Sequence, residues 1–210
     1  VTAVGMKQSQ FFTPKEKTPL KKPVATYRYE DTDGVHVMDV VRFKPKGFRP
    51  RRPDGEWTLK GVTRVPYRLP QLLSGINEGR EILILEGEKD CDNAERLGLV
   101  ATTFAGGAGK WREEYSKWFQ EAKVICLPDN DDAGRKGMRL IASEIVKVAE
   151  SVRWLELPDI PEKGDLSDWI NIEGNNFEKF NTLVEQSSST WTSELVKDDD
   201  NGQLLEELNQ

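Results

Sequence analysis

The sequence predicts an α/β fold, a Rossmann-like and mostly parallel sheet flanked by helices, with a small antiparallel β subdomain ahead of it. Short apolar runs (ILIL at 82–85, VATTF at 100–104, VICL at 124–127) alternate with stretches of helical periodicity. That alternation implies parallel strands joined by right-handed crossovers. Upstream, two alternating segments flank Asp33-Gly34, a hairpin signal.

Each element follows from local pattern. Residues 1–24 are rich in Lys, Pro, Thr and Gln and read as a flexible basic arm without its own core. From residue 25 to 75 a basic β subdomain is expected, with strands ATYRYED, VHVMDVVRF and, after a turn at Pro53-Asp54-Gly55, WTLKGV. A short helix from Tyr67 to Leu73 closes it. The main domain, 76–187, then runs strand ILIL, helix DCDNAERLG ended by Gly98, strand VATTF, a helix near WREEYSKWFQEA, strand VICL, a long helix over 132–149 and a last strand SVRWLEL. In the long helix Met138, Ile141, Ile145 and Val148 recur at three and four residues, giving one apolar face. Residues 188–210 read as an acidic tail or linker.

Composition narrows the function classes. No apolar run approaches the roughly 20 residues of a membrane-spanning helix, and no basic stretch followed by an apolar one opens the chain as a secretory signal does. A cytoplasmic setting follows by default, and Val1 as first residue suggests a fragment. Cys91 and Cys126 lack paired zinc-site spacing and read as core thiols. The single histidine, His36, sits in an alternating segment and reads as a strand residue, which disfavours Ser-His-Asp or Cys-His chemistry. Net charge is −6, but residues 1–70 carry 15 Lys and Arg against 7 Asp and Glu, a net +8, and the rest carries −14. A basic front and an acidic body suit different tasks.

The chemistry concentrates at two strand ends. In an open parallel sheet, ligands collect beyond the carboxyl ends of the strands. ILIL runs into Glu86-Gly87-Glu88-Lys89-Asp90, and VICL runs into Pro128-Asp129-Asn130-Asp131-Asp132. Carboxylates converging there repel one another unless a cation neutralises them, and hard oxygen ligands of this kind suit Mg²⁺ or Mn²⁺. Glu86, Asp129 and Asp131 are the expected ligands. Glu88, Asp90 and Asp132 fit helix capping as well as a site.

The pattern hhhhEGEKD (h, apolar), followed about forty residues later by hhhhPDNDDAG, resembles the TOPRIM domain of bacterial, phage and plasmid primases. KGDLSDW (163–169) is similar to a third acidic segment of that family, matched by Asp165 and Asp168. LKGVTRVPYRLPQLL resembles the region preceding TOPRIM in phage and plasmid primase-helicases. The resemblance implies a DNA primase-type nucleotidyltransferase that makes short primers on single-stranded DNA from NTPs, with a helicase or ATPase domain or partner. It implies that Glu86 is a ligand or general acid/base, that Asp129 and Asp131 hold one or two Mg²⁺ or Mn²⁺ ions with Asp165 as an outer ligand, and that Lys89 reaches a phosphate.

Alternatives remain open from sequence. TOPRIM sites also occur in topoisomerases and nucleases. A topoisomerase needs a separate gate-forming domain for which the chain has no room, whereas a metal-dependent nuclease hydrolysing phosphodiesters is the alternative, and a degenerate binding module is disfavoured because the carboxylates are all present. FAGGAGKW lacks the first glycine and the Ser/Thr of a P-loop. Its glycines either let the backbone pass close to the acidic rim, with Lys110 as a phosphate contact, or form a plain strand-to-helix turn. Trp111, Tyr115, Trp118 and Phe119 read as core. The expected nucleic-acid track runs from Lys44 to Arg68, with Phe48 stacking on a base and Arg49, Arg51, Arg52, Lys60, Arg64 and Arg68 on phosphates.

Overall fold

The computed structural model describes residues 22–107 and 110–192. The expected arm up to residue 21, Gly109 of the glycine loop and the acidic stretch from 193 onward lie outside the described residues.

The small sheet has the order β1-β2-β3 and is antiparallel throughout: β1 (Lys22–Glu30), β2 (His36–Lys44) and β3 (Gly47–Arg51). Its first turn is closed by Asp31, whose Oδ1 accepts from the backbone N–H groups of Asp33 and Val35, while Gly34 supplies φ +77°. The third strand is not WTLKGV, as expected, but GFRPR within the basic connection. Pro50 is tolerated there because β3 is an edge strand. The Lys44–Pro45 peptide is cis. β1 also begins three residues inside the stretch read as a flexible arm.

Register decides which side chains share a face. Residues directly opposite in an antiparallel pair point the same way. Tyr27 pairs with Val40, Tyr29 with Met38 and Arg42 with Phe48, whereas Asp39 pairs with Arg51 and Val41 with Arg49. Tyr27, Tyr29, Met38 and Val40 are buried against the main domain, so Arg42 and Phe48 lie on the inner face and Arg49 and Arg51 on the outer one.

The main sheet has the order β5-β4-β6-β7-β8. β4 (Glu81–Ile84), β5 (Val100–Thr102), β6 (Lys123–Cys126) and β7 (Ser151–Trp154) are parallel, as the alternation predicts, and β8 (Ser189–Thr190) adds antiparallel to β7. The stretch read as a tail therefore completes the sheet, and Trp191 is buried with its ring stacked on Trp154. Among the described residues five α-helices flank the strands: α1 (Leu69–Asn77), α2 (Glu88–Arg96), α3 (Asp132–Ile145), α4 (Leu166–Ile170) and α5 (Phe177–Ser187). α1 lies so close to the sheet that a Cβ at Gly75 would meet Val100 Cγ1 at 2.9 Å and Ile82 Cδ1 at 3.1 Å. α3 buries Met138, Ile141 and Ile145, the apolar stripe read from sequence, but ends at Ile145.

The segment WREEYSKWF winds as a 3-10 helix over Glu113–Phe119 instead of an α-helix. Such tight turns serve as short connectors. Its aromatic residues are core: Tyr115 and Phe119 are buried, and Phe104 stacks on Tyr115 and meets Trp111 edge-on. Both cysteines are free and buried. Among the described residues, no helix is long and apolar enough to cross a membrane.

Candidate active site and nucleic-acid interface

β4 and β6 are neighbours in parallel register, with Ile84 opposite Cys126, so the residues following them arrive at one rim. Glu86 and Asp129 meet there: the Asp129 backbone N–H donates to Glu86 Oε1 at 3.2 Å. Glu86 lies over the first turn of α3, where only glycine leaves room. A Cβ at Gly134 would collide with Glu86 Oε1 and come within 2.9 Å of the Asp129 carbonyl oxygen. The amide and the helix terminus favour the charged form of Glu86, yet its pKa is raised, chiefly by burial and further by Asp131 and Asp90. Asp129 is pushed up to about 8 by burial and by Glu86, Asp90, Asp165 and Asp131. This rim concentrates more negative charge than it can hold alone.

The remaining expected acidic residues are partly engaged. Asp131 is the N-cap of α3, its Oδ1 accepting from the Gly134 N–H at 2.7 Å. Asp165 caps α4 in a reciprocal capping box with Asp168. Its Oδ2 also accepts from Lys89 Nζ at 2.6 Å. Burial opposes its charge, but the Lys89 hydrogen bond, the Asp168 N–H and the Lys89 charge hold it below the usual carboxylate range. Lys89 is thus committed to Asp165 and lies 3.6 Å from Asp90, rather than extending toward a phosphate. Asp90 is buried and accepts from both the hydroxyl and the N–H of Ser167, tying α2 to α4.

The small sheet closes over this rim. A cleft of about 580 Å³ has Glu86, Gly87, Lys89, Asp90, Asp129 and Asp165 on one wall, Gly106 and Gly107 at its edge, and Tyr27, Val40, Arg42, Lys46 and Phe48 opposite. Gly106 and Gly107 have φ of +99° and +76°, and a Cβ at Gly107 would sit 3.7 Å from the Glu86 carbonyl oxygen. The glycine loop therefore does pass beside the acidic rim. Lys110 folds back over Gly106, its Cγ 2.8 Å from where a Cβ would stand. The sheet is anchored by Tyr29, whose hydroxyl donates to Glu88 Oε1 at 2.8 Å in a buried hydrogen bond.

Of the expected nucleic-acid contacts, Phe48 lines the cleft and Lys110 borders it. The others point elsewhere, because strand alternation and ion pairing take them away. Arg49 and Arg51 lie on the outer face, over Trp57 at 4.6 and 5.6 Å, and Arg51 pairs with Asp39 at 2.7 Å. Arg52 pairs with Asp54 at 2.7 Å. Lys60 and Arg64 line separate surface recesses, and Arg68, at φ 60°, pairs with Glu95 and Asp92.

Sequence reading missed several site residues. Arg42 lies 5.8 Å over the Phe48 ring on the inner face, a placement visible only once its partner strand is known to be GFRPR. Tyr29 and Glu88 are 59 residues apart, and Asp90 and Ser167 are 77 apart, separations that no local pattern reveals. Gly134 had a signal, the glycine in PDNDDAG, without an indication of what it accommodates.

The donor set suits a small hard divalent ion. Among the described residues no cluster of three ligating side chains encloses an ion by itself. Mg²⁺, however, keeps several waters and is commonly held by one or two carboxylates plus substrate phosphates. Glu86 and Asp129, both raised in pKa by burial and by the acidic groups around them, are a pair of that kind.

The architecture is that of primase catalytic cores. It resembles a DNA primase domain from Pseudomonas aeruginosa (TM-score 0.59, 22% identity, 79% of this chain and 51% of that one). It also resembles a DnaG primase catalytic domain bound to ssDNA (TM-score 0.62, 22% identity, 82% and 54%) and the primase fragment of the bacteriophage T7 primase-helicase protein (TM-score 0.52, 23% identity, 75% and 60%). The chain spans about half the length of the first two structures. No family model and no curated protein matches the sequence.

Proposed function

We propose that this chain is a TOPRIM-type primase core of the phage or plasmid kind, a nucleotidyltransferase that makes short primers on single-stranded DNA. The observation that carries the reading is the cleft, in which an acidic wall of Glu86 and Asp129 faces a cationic and aromatic wall of Arg42, Lys46 and Phe48. A phosphate backbone would be repelled by the acidic wall alone, and a divalent ion would not be retained by the basic one. The fold likeness to primase cores adds weight without fixing the reaction.

In this reading Glu86 and Asp129, with Asp131 beside them, hold Mg²⁺ or Mn²⁺. The bound ion supplies charge neutralisation at the phosphate and activation of the attacking hydroxyl. Arg42 and Lys46 hold the template backbone, and Phe48, 46% exposed, offers a face for a base. The Tyr29–Glu88 hydrogen bond keeps this wall at a fixed distance from the carboxylates. Asp165 holds Lys89 and caps α4, acting by position rather than as a ligand. A helicase or ATPase domain or partner accompanies the core, in keeping with the primase-helicase resemblance of the sequence.

Incubation with single-stranded template, NTPs and Mg²⁺, alongside a nuclease assay on the same DNA, tests the proposal. Short products that require NTPs and vanish in Asp129→Asn support it. Template degradation without synthesis assigns the site to hydrolysis instead.

A further inference from the structure

The outer surface of the molecule carries a second concentration of cations, distinct from the cleft. Arg64 comes from the irregular segment after the small sheet, and Arg112 and Lys117 come from the start and middle of the 3-10 helix region. With Leu59, Val62, Thr63 and Glu114 they line one recess of about 430 Å³. Its one acid, Glu114, meets Arg112 at 3.5 Å with both side chains about half exposed, an arrangement worth little in water. Among the described residues, Arg64 and Lys117 have no carboxylate partner, and the Lys117 ammonium rests 4.7 Å over the Trp118 ring. Three like charges from segments some fifty residues apart thus share one polar hollow at a cost in repulsion that folding does not require.

The hollow does not stand alone. A neighbouring recess, whose polar lining includes Asp31, Arg52, Lys60 and Thr63, shares Val62 and Thr63 with it. The two adjoin as a strip in which Arg52 is held by Asp54 at 2.7 Å and Lys60 is the further cation, and two adjoining cationic recesses match successive phosphates of a chain better than one compact anion. None of the residues of this strip lines the cleft.

We propose that the Arg64–Arg112–Lys117 recess binds the phosphate groups of a single-stranded nucleic acid, as a contact separate from the cleft. The choice of a strand over free phosphate or pyrophosphate rests on the nucleic-acid reading of the cleft and on the adjacency of the two recesses.

The test is fluorescence anisotropy of a labelled oligo-dT with the full chain in EDTA, so that ions at the acidic rim play no part, over a salt series. Each phosphate neutralised contributes about 0.7 to the slope of log affinity against log salt for a single strand. Replacing Arg64, Arg112 and Lys117 together with Ser should flatten the slope by roughly two and shrink the affinity change between 50 and 200 mM salt by roughly twentyfold. The charge-preserving variant Arg64→Lys/Arg112→Lys should keep the slope, which separates lost charge from lost folding. Arg42→Ser/Lys46→Ser, run in parallel, reports on the cleft, so failure of one site leaves the other legible. An unchanged slope in the triple Ser variant overturns the proposal whatever the cleft variant shows. So does loss of pyrophosphate competition in that variant with oligo-dT binding intact, because the recess would then serve a free anion.

Discussion

Asp129→Asn should stabilise the metal-free protein by an amount that depends on pH. In the folded chain Asp129 is pushed up to about 8 by burial first and then by Glu86, Asp90, Asp165 and Asp131, from an ordinary value near 3.8. A carboxyl whose folded pKa is raised binds its proton more tightly in the native state than in the unfolded one. The protonated form is therefore no burden below about pH 4, and the penalty for ionising the buried group grows as pH rises from there, levelling off above about pH 8. Four units at about 1.4 kcal/mol each set a ceiling of about 6 kcal/mol. Asp129 is only partly shielded from water, which reduces this to about 2 to 3 kcal/mol. Asparagine has no such titration, so urea denaturation in EDTA should show the variant level with the wild type near pH 4.5 and more stable by about 2 kcal/mol near pH 8.5. Mn²⁺ should raise the melting temperature of the wild type and not of the variant. A stability difference that does not change with pH would sink the electrostatic account of the rim.

Three further outcomes follow from the geometry. Tyr29→Phe removes the one side-chain donor to buried Glu88 among the described residues and should cost about 1 to 3 kcal/mol in chemical denaturation; because that hydrogen bond favours the ionised carboxylate, the loss should be larger at pH 8 than at pH 5. Gly134→Ala should gain nothing from its better helix propensity of about 1 kcal/mol, since the methyl would collide with Glu86 and the Asp129 backbone; stabilisation by Mn²⁺ in a thermal melt should be lost even though no carboxylate is removed. Asp165→Ala should lose roughly 1 kcal/mol as the α4 cap while Mn²⁺ affinity measured by titration stays within about twofold of wild type, and a tenfold fall would instead return Asp165 to the ligand set.

How much of this was legible in sequence depended on whether the information was local. The parallel strands were readable because each is a short apolar run bounded by helical periodicity, and the convergence of Glu86 and Asp129 follows from strand polarity alone. The third strand of the small sheet was not readable. WTLKGV alternates more regularly than GFRPR, yet GFRPR sits one tight turn after β2 and can pair with it along Asp39 to Phe43, so proximity in the chain outweighed β-propensity. α4 is a five-residue helix set by its Asp165 cap, too short to show a period, whereas α5, capped by Asn176, repeats Phe177, Phe180 and Val184 at three and four residues, a signal the sequence carried within an otherwise polar stretch. β8, two residues long, exists only because the Trp154–Trp191 stack and the β7 edge receive it.

The misplacement of the basic side chains has one physical source. Sequence reading grouped Phe48, Arg49, Arg51 and Arg52 because they are adjacent, but in a strand adjacency places neighbours on opposite faces. Once GFRPR is β3, Phe48 must accompany Arg42 inward, and Arg49 and Arg51 must turn outward to Trp57 and Asp39. The same alternation that emptied the expected track of its arginines thereby gave the cleft a different cation, Arg42, fixed in β2 and in hydrogen-bonding reach of Tyr27. A cation held on a paired strand loses less freedom on meeting a phosphate than one carried on a loop. Among the described residues, the basic side chains of the small sheet and its turn are consequently divided between two faces, and only Arg42 and Lys46 line the cleft opposite the acidic rim. Salt dependence of strand binding should accordingly persist in part when Arg42 and Lys46 alone are neutralised, with the Arg64–Arg112–Lys117 recess supplying the rest.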